Sequence, residues 1–255
     1  MSFFEELRGI VEAGGRAVVL TVVEGENVGA KLLVREDGAT SGDRAAELAE
    51  LAPAALRRGR SHVLEVGESK VFADVYGPPP RLVVYGAVDT AEALCRAAKL
   101  LGWTGVVADA RARFATRERL PSADEIIVAW PEEALAQVQP DLGTAVVVLT
   151  HDDKFDLPAL AGALASEAFY IGALGSRRNQ ERRRERLVEA GVADEDLDRI
   201  AGPCGLDIGA ESPAETALSI LAEILATRAR RAGGPLKQAK TRIHVEPPEP
   251  AVSGA

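Results

Sequence analysis

Residues 82–91 read Leu-Val-Val-Tyr-Gly-Ala-Val-Asp-Thr-Ala. The first four are apolar or aromatic and suit a buried strand, Gly86 opens a turn, and apolar residues then recur at helical spacing up to Leu101. A strand, a glycine turn and a helix in this order form the first unit of a dinucleotide-binding fold. We therefore predict that a Rossmann-like parallel sheet begins at residue 82.

The residues that follow alternate between strand and helix patterns. The predicted strands are residues 82–85, 105–108, 125–129, 145–149 and 168–171, and the predicted helices are residues 90–101, 131–138, 157–165, 177–190 and 213–231. Ser212 and Glu215 form a capping box at the start of the last helix. Such alternation builds a parallel sheet with crossover helices.

Three consecutive prolines at residues 78–80 exclude helix and central strand, so we place the domain boundary there. Before them, the predicted elements are helices at residues 3–13 and 44–58 and strands at residues 17–23, 30–34, 62–66 and 70–75. The predicted fold class is therefore α/β, with a Rossmann-like parallel-sheet carboxyl domain at residues 81–231 and a smaller α+β amino-terminal domain at residues 1–77. Residues 232–255 are rich in proline, and we predict a mobile tail there.

The composition is that of a soluble globular protein. The chain has 255 residues, 47% hydrophobic and 27% charged, and a net charge of -9 that disfavours nucleic-acid binding. Charged residues near the start exclude a signal peptide, and no apolar run reaches membrane-spanning length, so we expect a cytoplasmic protein with no membrane partner. Cys95 and Cys204 are far apart and lack Cys or His neighbours, so neither disulfides nor a metal site is predicted.

The first turn lacks part of the dinucleotide-binding pattern. That pattern needs a second glycine where the pyrophosphate approaches the backbone, and this chain has Val88 there. Asp89 is expected to cap the helix, which would put a carboxylate where an anionic phosphate must bind. Asp109 stands at the position of a ribose-binding acidic residue, although polar residues are common there in any α/β sheet. We therefore expect NAD or NADP to bind weakly or not at all, with Gly86 still a candidate cofactor contact.

A polar segment follows the predicted strand at residues 145–149, and ligands of open parallel sheets bind beyond the carboxyl ends of strands. Of the three histidines, His151 alone has a position suited to proton transfer or metal ligation in that cleft. His151 and Asp152 are therefore candidate cofactor-binding residues. The alternative is structural, with Asp156 capping the next helix and Asp152 forming a solvated turn with Lys154.

The next predicted strand runs into a glycine-containing turn that opens a helix at residue 177. Backbone N–H groups and the positive dipole end at such a helix start favour an anion. The candidates for this phosphate site are Gly172, Gly175, Ser176 and Arg177. More arginines follow up to residue 186, interrupted by Glu181 and Glu185, and they fit either a binding surface or a solvated face of Glu–Arg pairs.

A second glycine-rich segment, residues 202–213, precedes the last predicted helix. Asp207, Gly209 and Glu211 lie in this loop, and we expect them to complete the same cleft. Cys204 offers a thiol for ligation or attack, but a single small thiol is more often a packing residue.

Three stretches carry a family resemblance. They are residues 147–152 (Val-Val-Leu-Thr-His-Asp), 168–178 (Ala-Phe-Tyr-Ile-Gly-Ala-Leu-Gly-Ser-Arg-Arg) and 205–215 (Gly-Leu-Asp-Ile-Gly-Ala-Glu-Ser-Pro-Ala-Glu). Together they resemble the XdhC/CoxI family of xanthine dehydrogenase accessory factors. The resemblance covers residues 82–228 and, more weakly, the Gly-Ala-Lys strand at residues 29–34.

The resemblance implies a maturation factor rather than an enzyme. Such a factor binds molybdenum cofactor, holds it while its terminal sulfur is installed, and inserts it into a xanthine dehydrogenase or carbon monoxide dehydrogenase-type hydroxylase. The implied partners are the molybdenum hydroxylase apoenzyme, a cysteine desulfurase and a second copy of the chain in a homodimer. No catalytic residue is assigned, and the candidate cofactor-binding residues are Gly86, His151, Asp152, Gly172, Gly175, Ser176, Arg177, Asp207, Gly209 and Glu211.

This chain departs from the family pattern in two places. The family usually has Gly-Ala-Gly-His at the first turn, where residues 86–89 read Gly-Ala-Val-Asp. It also has a Gly-Gly-Cys segment after the Gly-Ala-Lys strand, where residues 38–44 contain no cysteine. Two other interpretations therefore stay open, an NAD(P)-dependent oxidoreductase and a regulatory paralogue that binds no cofactor.

Overall fold

The computed structural model of the chain describes residues 3–42 and 46–239. The start of the helix predicted at residues 44–58 and the tail after residue 239 lie outside the described residues. Before the prolines the elements are α1 Phe3–Glu12, β1 Ala17–Glu24, β2 Lys31–Arg35, β3 Thr40–Gly42, α2 Ala46–Ala49, α3 Ala52–Arg58, β4 His62–Val66 and β5 Ser69–Tyr76. After them come β6 Arg81–Tyr85, α4 Asp89–Leu100, β7 Thr104–Ala108, β8 Glu125–Ile127, α5 Pro131–Val138, β9 Thr144–Val148, α6 Asp153–Leu164, β10 Tyr170–Ala173, α7 Arg177–Glu189, β11 Ile200–Ala201 and α8 Pro213–Arg228, with 3₁₀ turns at Asp194–Arg199 and Leu236–Gln238.

The strands before the prolines form an antiparallel sheet in the order β3-β2-β1-β5-β4. Side chains of the central strand β1 alternate between the two faces, as the period of two along a strand requires. Val18 and Leu20 pack with residues of α3 on one face. Ala17 and Val19 pack with residues of α1 on the other face. The predicted α+β character of this part is confirmed.

Strands β6 to β11 form a parallel sheet in the order β11-β10-β9-β6-β7-β8. This matches the 3-2-1-4-5-6 order of the dinucleotide-binding fold, so the Rossmann-like prediction is confirmed. Helices α4 and α8 cover one face of the sheet, and α5, α6 and α7 cover the other. The strand order reverses between β6 and β9, and such a fold binds ligands in the crevice above the carboxyl ends of the strands at this point.

The central strands have the sequence that burial on both faces requires. Strand β9 reads Thr-Ala-Val-Val-Val, and every residue of it is buried. A continuous apolar run is typical of a parallel strand with helices on both faces. The one hydroxyl in this run, that of Thr144, donates to the Asp141 carboxylate at 2.6 Å.

Several predicted boundaries differ from the structure. The helix predicted at residues 44–58 is two helices in its described part, α2 and α3, and β10 begins two residues later than predicted. Helix α6 begins at Asp153 rather than at residue 157, because the Asp152 carboxylate caps it by accepting the Lys154 N–H at 3.1 Å. Asp156 therefore lies inside the helix and does not cap it. Strands β3 and β11 were missed, since three and two residues are too few to produce a pattern.

Helix α8 begins at the predicted capping box, which is confirmed. Ser212 Oγ accepts the Glu215 N–H at 3.2 Å, and the Glu215 carboxylate accepts the Ser212 N–H at 2.8 Å.

Across the described residues, none of the helices combines the length and the apolar composition that crossing a membrane would need.

Two arginines share one carboxylate where the antiparallel sheet meets the parallel sheet. Arg16, just before β1, reaches Asp141 at 3.3 Å, and Arg81 of β6 reaches the same carboxylate at 3.4 Å. Burial acts to raise the pKa of Asp141, but Thr144 and the two arginines outweigh it and lower the pKa below its ordinary value. These contacts lie at the amino ends of the parallel strands, opposite the edge where the fold binds ligands.

Arg228, the last residue of α8, makes a second link between the domains. It donates to the carbonyl oxygens of Arg58 and Gly59 at 3.0 and 2.9 Å. Its guanidinium also lies 5.4 and 5.5 Å from the ring centroids of Trp103 and Phe169. Burial lowers the pKa of Arg228 to about 10, so the side chain remains cationic at neutral pH.

Replacing Arg228 by Met should destabilise the protein, because the two carbonyl groups lose a charged donor while the apolar stem is kept. Hydrogen bonds from charged groups contribute roughly 1.5 to 3 kcal/mol, and we expect a loss of about that size in the free energy of unfolding. Arg96, an exposed arginine of α4, is the matched control, and Arg96→Met should change stability by less than about 0.5 kcal/mol. Urea denaturation measures both, and equal midpoints for the two variants would contradict the prediction.

Candidate functional site

Three loops leave the carboxyl edge of the parallel sheet side by side. They follow β9, β10 and β11, and backbone hydrogen bonds hold them in register. Leu174 N–H donates to the Val148 carbonyl at 2.9 Å, and Cys204 N–H donates to the Ala173 carbonyl at 3.0 Å. The three segments singled out in the sequence therefore start from one sheet edge.

A buried ion pair lies beneath these loops. Arg183 of α7 and Asp156 of α6 are both almost fully buried, and Arg183 Nε donates to Asp156 Oδ2 at 2.9 Å. Arg183 also donates to the carbonyl oxygens of Leu174 at 2.8 Å and Thr150 at 3.1 Å. The Thr150 hydroxyl donates to the other Asp156 oxygen. One guanidinium thus fixes the spacing of the loops after β9 and β10.

The environment of Asp156 affects its protonation. Burial raises the pKa of this carboxyl, and it outweighs the lowering effects of the Thr150 hydroxyl and the Arg183 guanidinium. Because these partners use the carboxylate oxygens and no solvent reaches them, Asp156 acts as an internal brace for the loops above it.

Helix α7 starts at the edge that this brace supports. Ser176 is its N-cap and accepts the Asn179 N–H at 3.2 Å, while the other N–H groups of the first turn have no partner within the helix. Gly175 has a φ of +144°, which L-amino acids with a side chain rarely adopt. Arg177 is exposed, and within residues 3–42 and 46–239 its guanidinium has no hydrogen-bond or ion-pair partner. The helix start, the hydroxyl and the free guanidinium together suit an anion.

His151 and Asp152 are both exposed at the end of β9. His151 follows Thr150, whose hydroxyl and carbonyl are held by the buried ion pair. Asp152 caps α6 by accepting the Lys154 N–H, a structural contact other than the solvated turn expected from the sequence, and its role as a cofactor contact stays a prediction. His151 is exposed at this edge, and its contact with a ligand stays a prediction.

Gly172 does not belong to the turn in which the sequence placed it. It is buried inside β10, and a Cβ at this position would lie 2.7 Å from a ring carbon of Tyr170 and 3.1 Å from Cys204 Cβ. The glycine is needed for packing beneath the loop, and its role as a cofactor contact stays a prediction.

The loop after β11 is fixed from below by α8. Glu223 of α8 accepts the Gly205 N–H at 2.8 Å and the Tyr170 hydroxyl. Cys204 is buried, and burial raises the pKa of its thiol to about 12, so it is a packing residue and a poor nucleophile at neutral pH. The candidate residues Asp207, Gly209 and Glu211 are exposed in the outer part of this loop.

The first Rossmann turn is also braced by a carboxylate. Asp109, buried at the end of β7, accepts the Ala87 N–H at 2.9 Å, the Arg111 N–H at 2.9 Å, and Arg111 Nε and Nη2 at 2.9 and 2.7 Å. Burial acts to raise the pKa of Asp109, but these bonds outweigh it and lower the pKa below its ordinary value. Both oxygens of Asp109 are therefore bonded within the protein, which favours the structural interpretation of this residue over a ribose contact.

Gly86 and the helix start after it match the sequence interpretation only in part. Gly86 has a φ of +114°, and a Cβ there would lie 2.8 Å from Thr150 Cγ2, so glycine is required. The helix cap predicted at Asp89 is wrong, since Val88 is the N-cap residue and makes no side-chain cap bond. Asp89 is an exposed residue of the first helical turn and pairs with Arg119 at 3.6 Å. Both Val88 and Asp89 nevertheless lie at the pyrophosphate approach.

Beyond the first turn of α7, the arginines pair with aspartates of other segments, and among the described residues no ion pair joins them to the glutamates of their own helix. Arg184 pairs with Asp194 and Asp198 at 2.8 and 2.9 Å, and Arg182 and Arg186 pair with Asp153 of α6 at 3.9 and 3.2 Å. In the described ranges, His, Cys, Asp and Glu side chains form no group of three that could hold a metal ion.

The family model described as "XdhC Rossmann domain" matches residues 82–224, which are more than half of the chain. The chain belongs to the XdhC family. The matched region begins within β6, the strand before Gly86, and ends within α8.

Curated relatives carry the same domain within longer chains. A protein of Bacillus subtilis (strain 168), named as a probable subunit of xanthine dehydrogenase, is 34% identical over 162 residues, which are 64% of this chain and 47% of the relative. The "Molybdenum cofactor insertion chaperone PaoD" of Escherichia coli (strain K12) is 32% identical over 153 residues, 60% of this chain and 42% of the relative. The matched region of this XdhC-family chain thus spans less than half the length of either relative.

A solved structure resembles most of this chain. The crystal structure of a xanthine dehydrogenase from Bacillus halodurans superposes with a TM-score of 0.60 at 26% identity, covering 88% of this chain and 65% of that one. The XdhC domain and the antiparallel sheet before it therefore recur together.

Sequence reasoning missed the buried pair of the XdhC domain, although a signal for it exists. Arg183 lies four residues before Leu187, and Asp156 lies four residues before Leu160. Both leucines are buried, and residues four apart share a helix face. The spacing therefore puts both charges on the inward faces of α6 and α7, where only pairing makes burial tolerable.

Arg183→Met should leave the Asp156 carboxyl buried without its cation and lower the free energy of unfolding by about 3 to 5 kcal/mol. The double variant Arg183→Met with Asp156→Leu should recover much of that loss, because apolar replacements of a buried pair are often neutral. The exposed Arg182→Met is the matched control and should cost less than about 1 kcal/mol. Denaturation in guanidinium chloride measures the free energy of unfolding of each variant. A double variant less stable than Arg183→Met alone would refute the role of the pair.

Proposed function

We propose that this XdhC-family protein is a maturation factor that binds molybdenum cofactor and delivers it to a molybdenum hydroxylase apoenzyme. The observation that carries the proposal is the anion-accepting start of α7, with Ser176 as N-cap and Arg177 free, at the ligand-binding edge of the sheet. The relatives support it, because one is named a molybdenum cofactor insertion chaperone and another a xanthine dehydrogenase subunit.

The residues at this edge fit the chemistry of a pterin phosphate. The phosphate needs N–H donors and a cation, which the first turn of α7 and the guanidinium of Arg177 supply. The pterin ring carries an amino group and ring N–H donors, for which the exposed carboxylates of Asp207 and Glu211 are suitable acceptors. His151 lies on the neighbouring loop, where its imidazole can donate to or accept from the ligand.

When bound, the cofactor supplies the redox-active molybdenum that the client enzyme uses. The role of this chain is to bind and orient it: Arg183 holds the loops of His151 and Gly175 at a fixed spacing, and Ser176 keeps the first turn of α7 in register. Delivery needs an open site, and the exposure of Arg177, Asp207 and Glu211 is consistent with that.

The sulfur for the cofactor has to come from another protein in this proposal. Cys95 and Cys204 are the two cysteines of the chain, and both are buried with a pKa raised by burial. Neither is suited to carry or transfer sulfur at neutral pH. We therefore propose a cysteine desulfurase as the sulfur donor, acting on cofactor held by this chain. The homodimer implied by the resemblance stays a prediction.

An NAD(P)-dependent oxidoreductase is disfavoured by the first turn. Asp109 is bonded to Arg111 and Ala87, and Val88 stands where a dinucleotide fold needs glycine. If titration with molybdenum cofactor shows no binding, the interpretation that remains is a regulatory paralogue that binds no cofactor.

Anaerobic titration with molybdenum cofactor, followed by fluorescence quenching, tests the proposal. Arg177→Ala removes one charge-assisted contact worth about 1.5 to 3 kcal/mol, so the dissociation constant should rise roughly ten- to a hundred-fold. The matched control is Arg184→Ala on the same helix, whose guanidinium is already paired with Asp194 and Asp198. That variant should bind the cofactor as the parent does.

Two results would contradict the proposal. If the parent protein shows no saturable binding of molybdenum cofactor, the proposed cofactor-binding role is wrong. Full affinity in Arg177→Ala together with weakened binding in Arg184→Ala would move the phosphate site along α7, away from its start. Circular dichroism of both variants verifies that the fold is intact.

A further inference from the structure

We propose that the groove between α7 and β11 docks an extended segment of a partner protein, which carries an acidic, an apolar and a basic side chain at three consecutive positions. The groove lies at the outer side of the parallel sheet, because β11 is an edge strand. It shares Arg177 with the proposed phosphate site. In the proposed function this partner is the molybdenum hydroxylase apoenzyme, and that identification alone rests on the proposed function.

The groove has an apolar floor. Its volume is about 400 Å³, and Leu160, Leu187 and Leu197 line it from below, all three of them buried. Ile200 and Pro203 line the side formed by β11 and the loop after it. Pockets that hold ligands typically have volumes of roughly 300 to 1,000 Å³. The groove therefore has room for an apolar side chain and the backbone that carries it.

Hydrogen bonds of α7 fix the shape of the groove. Arg184 donates to the carboxylates of Asp194 and Asp198, in the 3₁₀ turn before β11, at 2.8 and 2.9 Å. One turn closer to the helix start, the Gln180 amide donates to the Ala173 carbonyl, at the end of β10, at 3.0 Å. Both side chains belong to residues that line the groove. A groove that is already formed costs a bound chain less ordering than one that has to form on binding.

Two unpaired charges lie along the α7 side of the groove. Arg177 and Glu181 both line it and both are exposed. Within residues 3–42 and 46–239 neither side chain has a hydrogen-bond or ion-pair partner. Residues four apart share a helix face, but the order in which the cation precedes the acid is the less favourable one for pairing. Both charges are therefore available to opposite charges on a bound chain.

The spacing of these two charges matches an extended chain. Four residues along a helix rise about 6 Å, and two residues along an extended chain span about 6.5 Å. Side chains two positions apart in an extended chain point to the same side, and the one between them points to the other. An acidic residue at Arg177 and a basic residue at Glu181 would thus leave the middle side chain facing Ile200 and Pro203, where an apolar group fits.

The strand beside the groove also favours an extended partner. Strand β11 has two residues and pairs with β10 on one side. In the described part of the chain no strand pairs with its other side. Partner segments bind such edges in extended form, with backbone hydrogen bonds for affinity and side-chain pockets for specificity.

Isothermal titration calorimetry of the full chain without cofactor tests the inference with two peptides. They are acetyl-Gly-Asp-Leu-Lys-Gly-amide and acetyl-Gly-Lys-Leu-Asp-Gly-amide, because the groove accepts a chain in either direction. We expect saturable binding of one of them. Replacing its leucine by serine should weaken binding about ten-fold or more, since the leucine is the side chain that leaves water.

Charge reversal on α7 tests the place of the basic residue. Glu181→Lys should weaken binding of the peptide roughly ten-fold, because an attraction becomes a repulsion. A peptide with glutamate in place of its lysine should then bind Glu181→Lys more tightly than it binds the parent protein. Glu185→Lys is the matched control, since Glu185 is an exposed glutamate of the same helix outside the groove lining, and it should bind the original peptide as the parent does.

Four results would overturn the inference. They are no saturable binding of either peptide up to about 1 mM, equal affinity for the leucine and serine peptides, equal losses in Glu181→Lys and Glu185→Lys, and no gain for the glutamate peptide on Glu181→Lys. Circular dichroism verifies the fold of both variants. Because these titrations contain no cofactor, their failure leaves the molybdenum cofactor titration unaffected, and a failed cofactor titration leaves the peptide result unaffected.

Discussion

The buried ion pair between Asp156 and Arg183 is the interaction on which the candidate site depends. A guanidinium has five N–H donors in a rigid fork, and Arg183 uses them on one carboxylate and on the carbonyls of Thr150 and Leu174. A lysine in its place would offer one point charge and could not hold both loops. The backbone before His151 and before Gly175 is therefore fixed by a residue that itself touches no ligand.

A second ion pair, Asp109 with Arg111, fixes the first Rossmann turn in a similar way. Asp109 binds Ala87 in the first turn and Arg111 beyond β7. A dinucleotide-binding domain keeps that carboxylate for ribose, whereas here it stabilises the turn. The architecture is thus retained while the groups that recognise a dinucleotide are used for structure. The cations left available, Arg177 and one edge of Arg111, provide local positive charge on a chain whose net charge is -9.

The antiparallel sheet region is joined to the parallel sheet at the opposite edge. Arg16 pairs with Asp141 at the amino ends of the parallel strands. Arg228 donates to the carbonyl oxygens of Arg58 and Gly59. The carboxyl edge is free of these contacts and can receive a ligand. Because the stabilising contacts lie at one edge and the loops at the other, the loops can vary in sequence while those contacts are kept.

The sequence by itself determined the fold class, because strand and helix periods alternate after residue 82 and three prolines interrupt the chain before it. It also located the loops at the sheet edge, since each follows a strongly apolar strand. Only the tertiary structure decided what the charged residues do. Local patterns carry no information on partners distant in sequence, and Asp156 meets Arg183, 27 positions away, only when α6 and α7 pack together. For the same reason only the tertiary structure showed that Gly172 is packed inside β10 and that Asp109 braces the first turn.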